Sequence, residues 1–325
     1  MTTYLNILSS NEIKLFDSPP EFNSYQRIIN FSPAKWADSL INEMKTDENK
    51  LIFCLLLGYF KFTKKFYTPA KFHKKDIVYV SSKFNLKVDN EKIEKFKRYT
   101  LARYYKIILE NTGIRPFTKN IKQEMFLEAK QLVRKMYKPK NIFVSLLQGL
   151  ITKNTEIPNY NIFADIITAS FNDYEKELLS ITDEKLTLVD KNLLDKLLQI
   201  DDKDDMKENG VSSSKASKIK RYKITRLKKI NYSTRPNKIK ENTANMLVFK
   251  DLFYLLSGVI NDLNLSNETI KYYAYWTSKT DVFTINRKEE RKIYLALICF
   301  LIHQYFTLQD TLVDSLSNSV STIIN

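Results

Sequence analysis

The sequence predicts an all-α protein, and three observations carry that expectation. Glycine is scarce: Gly58, Gly113, Gly149, Gly210 and Gly258 are the five present, where average usage of about 7% would give over twenty. Apolar residues recur at helical spacing along most of the chain. Recognisable helix starts and stops bracket those runs. The glycine shortage also disfavours glycine-rich phosphate loops, and no Walker or dinucleotide fingerprint is present.

The first clear element is FSPAKWADSLINEM. Ser32 is the expected N-cap and Pro33 the first helical residue. Ala37, Leu40, Ile41 and Met44 then repeat at helical spacing. Leu51 to Phe60 (LIFCLLLGYF) is apolar all round, which marks a helix at the centre of a domain. A bilayer span needs about 20 apolar residues, and this run stops at Lys61. No other stretch reads as long enough to cross a membrane, and the N-terminus lacks the pattern of a signal peptide. A third helix begins near His73, with Ile77, Val80 and Phe84 on one face. A helix-turn-helix variant is compatible with this trio, though the pattern does not require it.

Asp89 is the expected cap of a longer helix, EKIEKFKRYTLARYYKIILEN. Gly113 follows where a left-handed residue belongs, and Pro116 comes after it. Thr118 caps the next helix, whose stripe is Ile121, Met125, Ala129, Leu132, Val133 and Met136. Further helices are expected around Phe143–Leu150, at Tyr160–Phe171 and in DEKLTLVDKNLLDKLL. The charged, polar run Asp201 to Ser214 reads as a linker. Lys215 to Lys240 then holds eleven Lys or Arg and no acid. Helical patterning resumes near Met246, with a capped helix after Ser266, then ERKIYLALICFLIHQYF and TLQDTLVDSL. The expected organisation is a helical unit over 1–88, a second over 89–200, a polar then basic linker over 201–245, and a helical region over 246–325.

Net charge is +15, with 52 Lys and Arg against 37 Asp and Glu. Such an excess points first to polyanionic partners. Catalysis finds little support. His73 lies in a basic stretch and His303 on an apolar helix, and neither opens an H-x-x-R box. Asp310 and Asp314 share a helix face, whereas a metal-dependent nuclease needs carboxylates converging from several elements. Cys54 and Cys299 stand in apolar runs and read as buried thiols. No catalytic residue, metal site or cofactor is expected. Nucleic-acid binding fits better: Lys61, Lys64, Lys65, Lys71, Lys74 and Lys75 are interleaved with Phe62, Phe66, Tyr67 and Phe72. Lysines engage phosphates, and arginines such as Arg98, Arg103 and Arg115 can also read guanine edges.

The chain resembles the N-terminal, DNA-binding part of Tn3-family transposases. The likeness rests on LFDSPPEFNSYQRIINFSPA, on NKLIFCLLLGYFKFTKKFYTPAKFHKKDIVYVSSKFNL, and on RYYKIILENTGIRPFT with its closing box Gly113-Ile114-Arg115-Pro116-Phe117. It continues through IPNYNIFADIITASFNDYEKELLSIT, KITRLKKI, ERKIYLALICFL and LQDTLVD, in collinear order over nearly the whole chain. Thr63-Lys64 stands where that family usually has glycine, and the basic stretch after Gly210 is heavier. Those transposases are much longer, and their two-metal DDE nuclease domain has no counterpart here.

The resemblance implies helix-turn-helix-like units that grip duplex DNA at transposon terminal inverted repeats, followed by a dimerisation-type helical region. It implies no catalysis by this chain alone, a homodimer or a mixed dimer with an intact transposase, and a place on the bacterial nucleoid in the cytoplasm. The candidate DNA contacts are the six lysines above with Arg98, Arg103, Arg115 and Lys119, then Lys218, Lys220, Arg221, Arg226, Lys228, Lys229 and Arg235. For Arg115 two roles stay open: capping the end of the preceding helix, or touching a phosphate. The rival reading is a helical interaction module whose basic surface meets acidic proteins or nucleic acid without sequence preference.

Overall fold

A computed structural model describes residues 5–201 and 222–324. The described residues form seventeen α-helices and no β-strand, so the all-α expectation holds. The chain divides into two compact units. One comprises Met1–Gln131 with Lys138–Phe171; the other comprises Leu132–Tyr137 with Asn172–Asn325.

The first unit is built on α4 (Asp47–Thr63). Thr46 Oγ1 accepts from the Asn49 amide at 3.3 Å, and Asp47 and Glu48 complement the positive end of the helix dipole. Every residue from Leu51 to Phe60 is buried, as the all-round apolar pattern predicts. The helices α1 (Ser10–Phe16), α2 (Ser24–Asn30), α3 (Lys35–Glu43) and α5 (Lys74–Lys83) precede and follow it. Tyr59 forms the aromatic centre, with Phe22, Phe31 and Phe72 rings at 5.5–5.7 Å. Gly58 lies against Phe31: a Cβ there would meet the Phe31 ring at 2.2 Å. The helix stops at Lys64, whose φ of 55° occupies the left-handed region that favours glycine.

Three local expectations change. Ser32 is not a cap. Its hydroxyl donates back to the Ile28 carbonyl at 2.6 Å, closing α2, and α3 starts after Ala34 without a side-chain cap. The helix expected after Asp89 is two: α6 (Asn90–Glu94), which Asp89 caps, and α7 (Arg98–Thr112). The connection from α4 to α5 is ten residues long, 64–73, with a short 3-10 turn at Pro69–Lys71. That is not the tight turn of a helix-turn-helix pair.

Gly113 ends α7 in the left-handed conformation, φ 67°. Thr118 Oγ1 accepts from the Ile121 amide at 3.4 Å and starts α8 (Lys119–Lys135). Ile121, Met125, Ala129 and Val133 of the expected stripe are buried. The helices α9 (Pro139–Thr152) and α10 (Tyr160–Lys185) follow.

The second unit centres on α17 (Glu290–Ile324), one helix of 35 residues where the sequence suggests two runs. The stretch Ile293–Ile302 is buried throughout. It packs against α13 (Pro236–Leu255), with Phe249 and Phe300 rings 5.8 Å apart, and against α15 (Asn267–Lys279), where Thr277 Oγ1 donates to the Ala296 carbonyl at 3.2 Å. Merging the two runs corrects one expectation: Glu290–Ser321 is long and apolar enough by composition to cross a membrane, with a mean hydropathy of 1.2. In this structure 61% of its apolar window is buried, and the helix serves as the core of its unit. The remaining helices are α11 (Leu188–Asp195), α12 (Lys223–Leu227), α14 (Ser257–Leu263) and α16 (Val282–Asn286). Residues 222–245, within the stretch read as a linker, carry α12, which buries Ile224 and Leu227, and the first half of α13. Lys218, Lys220 and Arg221 lie outside the described residues, as does nearly all of the polar run before them.

Candidate nucleic-acid interface

The lysines that follow α4 divide by which end of a helix they meet. The last carbonyls of a helix have no partner within it and carry the negative end of its dipole, so cations belong there. At the end of α1, Lys65 Nζ donates to the Phe16 carbonyl at 3.0 Å and to the Asp17 carboxylate, and Lys71 Nζ donates to the Asp17 carbonyl at 2.9 Å. At the end of α2, Lys61 Nζ donates to the Ser32 carbonyl at 2.6 Å, and Lys83 Nζ to the Phe31 carbonyl at 3.3 Å. Lys64 Nζ donates to Asn154 Oδ1 at 2.8 Å.

Lys65 is therefore not a surface contact. It is 3% exposed, with its ammonium 3.7 Å from the centre of the Phe16 ring. Burial lowers its pKa, and the Asp17 bond works against that shift. Lys61 is lowered as well, by burial and then by Lys83. Three of the six lysines thus cap helix ends, and Lys64 is tied to the Asn154 side chain.

Five further cations sit at helix starts. Lys74 and Lys75 open α5, Arg98 opens α7, and Lys119 opens α8. Lys122, one turn into α8, belongs with them and was missed in the sequence. All five are exposed, and none has a side-chain partner among the described residues. Neither α7 nor α8 has an acid in its first turn. Each of these cations on α7 and α8 meets the positive end of a dipole, an arrangement worth about 0.3–1 kcal/mol in the unfavourable sense, whereas α5 carries Asp76 in its first turn beside Lys74 and Lys75.

Arg103 lies over the Tyr104 ring, 5.6 Å from its centre. The Arg115 backbone is bridged to the α9 terminus: its amide donates to the Asn154 carbonyl at 3.0 Å, and the Glu156 amide donates to its carbonyl at 2.9 Å. Asn154 Nδ2 donates to the Gly113 carbonyl at 3.2 Å, so Asn154 serves the end of α7. The Arg115 side chain stays exposed, without a partner among the described residues. In the second unit Arg226 pairs with Asp201 at 2.7 Å, and Lys228 donates to the Thr280 carbonyl at 2.5 Å. Burial lowers the Lys228 pKa. Lys229 and Arg235 are exposed, Arg235 at the start of α13.

One cleft in the first unit gathers several of these groups. Glu21, Phe22, Asn23, Ser24, Arg27, His73, Lys74 and Lys75 line it. Beneath it Asp76, fully buried, accepts from Tyr59 Oη at 2.6 Å and from Arg27 Nε at 2.6 Å. Burial, then the Asp76 carboxylate, push the Tyr59 phenol up, so it remains a neutral donor. Arg27 stands alone among uncharged residues in NSYQRIIN, and no charge pattern singles it out.

Fold and surface define a basic, all-α protein in which five exposed cations of the first unit stand at helix starts without a side-chain partner among the described residues. Residues 7–170 match the family described as a domain of unknown function, DUF4158, and the chain belongs to that family. No curated protein matches the chain.

Proposed function

We propose that this chain binds duplex DNA as the N-terminal portion of a Tn3-family transposase, recognising transposon terminal inverted repeats and performing no catalysis alone. The observation that carries the reading is the set of exposed, unpartnered cations at the starts of α5, α7 and α8: Lys74, Lys75, Arg98, Lys119 and Lys122. Lysines at helix ends have a local reason to be there. Arg98, Lys119 and Lys122 have no acid in the first turn of their helices, and a phosphate beside them relieves the repulsion.

The test is recovery of genomic fragments by the purified chain at moderate salt. Enrichment of paired inverted repeats flanking a mobile element supports end recognition. Equal recovery of all fragments reduces the function to non-specific affinity, and no recovery overturns it.

A second reading, an interaction module, has one observation of its own. On the last turns of α17, Val313, Leu316 and Val320 are exposed while Thr311 and Ser315 are buried. That inverts the usual amphipathic order and suits a face covered by a protein, including a second copy of this chain or an intact transposase.

A further inference from the structure

We propose that the cleft between the start of α2 and the start of α5 is a single-phosphate site. It is fixed by Arg27 from below and closed by Lys74 and Lys75 from the rim. The inference rests on the DNA-binding reading for the source of the phosphate, a backbone phosphate of the duplex, but the chemistry of the site would equally receive free phosphate.

Arg27 is the reason to single out this cleft among the basic surfaces. Its side chain is 17% exposed, and its Nε is held on a carboxylate that is itself fully buried. Asp76 cannot turn away, because its second oxygen takes the Tyr59 hydroxyl at 2.6 Å. The guanidinium is therefore set in one orientation, with its two terminal nitrogens without a partner among the described residues. A preorganised guanidinium fork with free donors matches two oxygens of a phosphate. Asp76 and Tyr59 act as positioning residues: they hold Arg27 and touch no ligand.

Charge points the same way. The Arg27–Asp76 pair is neutral as a unit, and Glu21 offsets one of the two rim lysines. One net positive charge remains at the mouth, where α5 also begins. A phosphodiester, singly charged, balances that site. His73 Nε2 lies 2.9 Å from the Pro19 carbonyl, which ties the ring to the wall of the cleft.

Two titrations of the full chain test the proposal. In the first, inorganic phosphate is added while 1H–15N spectra are recorded. Shifts confined to the Arg27 side chain and to residues 73–76 are expected. Both Lys74→Ala/Lys75→Ala and Arg27→Lys should weaken phosphate binding roughly tenfold or more. The lysine variant alters exposed residues only, so its fold is not at stake. Glu21→Gln should tighten binding.

In the second, affinity for a duplex is followed against salt. Two lysines sharing one phosphate should lower the slope of log K on log salt by about 0.9 in the double variant, where separate contacts would lower it by about 1.8. Phosphate shifts with the smaller change support the site and its DNA source. Phosphate shifts in a chain that binds no duplex support the site with free phosphate as its ligand, while the DNA reading falls. Absence of shifts in the cleft, or the larger slope change, overturns the single-phosphate site even where duplex binding persists.

Discussion

Lys71 donates its ammonium to the Asp17 carbonyl at 2.9 Å, beyond the last turn of α1. Lys65 reaches the same terminus from inside, through the Phe16 carbonyl and the Asp17 carboxylate. A lysine run that looks like a nucleic-acid surface in the sequence is in large part a set of helix-end caps. Lysine serves here because its long stem crosses apolar surface and delivers charge at the tip. Phe16 supplies that surface at Lys65.

Lys65 and Lys74 should therefore behave differently when their charge is removed. Lys65→Met leaves the Asp17 carboxylate without its cation in a largely buried setting. A loss of about 2–3 kcal/mol is expected, below the range for a fully buried pair because Asp17 is 21% exposed. Lys74→Met should stay within about 0.5 kcal/mol of the parent. Urea denaturation measures both, and equal losses would contradict the division into structural and free lysines.

Gly58→Ala should destabilise the first unit. Alanine in a helix interior gains about 1 kcal/mol over glycine from propensity. The new methyl, however, would stand 2.2 Å from Phe31 Cδ1 and 3.1 Å from the Asn30 carbonyl. Phe31 is 2% exposed and flanked by the rings of Phe22 and Tyr59, so it has nowhere to swing. Overpacking of this kind costs about 1–3 kcal/mol. The urea midpoint should fall with an unchanged slope; a rise would mean that α2 shifts freely.

Glu156 gives a pH dependence of known sign. Its carboxylate accepts from the Phe117 amide at 3.0 Å, but burial outweighs that bond and raises its pKa from 4.5. Between the unfolded and the folded pKa the native state holds more protons than the unfolded chain. Stability from this group therefore falls as pH rises through that window. Glu156→Gln keeps an acceptor for Phe117 and removes the charge. The variant should gain stability relative to the parent as pH climbs from 4 to 7, measured by urea midpoints. A parallel pair of profiles would show that the carboxylate is well solvated.

How far the sequence was legible depended on the range of the physics. Caps at Thr118 and Ser266, the stop at Gly113 and the buried run Leu51–Phe60 are local signals, and each reappears in the structure. Ser32 misled because a serine hydroxyl can bond backward as readily as forward, and here the Ile28 carbonyl lies within reach. The break of the helix after Asp89 carries no glycine or proline, so periodicity ran through it. Charge was legible as a total but not by address. Which lysines are free depends on where helix ends arrive from 29 to 90 residues away, as with Lys61 at Ser32 and Lys64 at Asn154. Arg27 was illegible for the same reason: its partner Asp76 is 49 residues distant.

Tyr59→Phe isolates one hydroxyl within that long-range network. The ring should stay in place, stacked 5.7 Å from Phe22 and edge-on to Phe31. What is lost is the donor to Asp76 Oδ2, together with a weak acceptor for the His73 amide at 3.4 Å. Asp76 is fully buried, and among the described residues its carboxylate is shared between Tyr59 and Arg27 alone. Leaving one of its oxygens unmet costs about 1–3 kcal/mol. A carboxylate freed on one side can also rotate, and Arg27 would rotate with it. The expected result is a lower urea midpoint accompanied by broadening of the Arg27 Nε–H resonance in 1H–15N spectra. A lower midpoint with that resonance unchanged would mean that Arg27 is held by packing, and that the hydroxyl stabilises Asp76 alone.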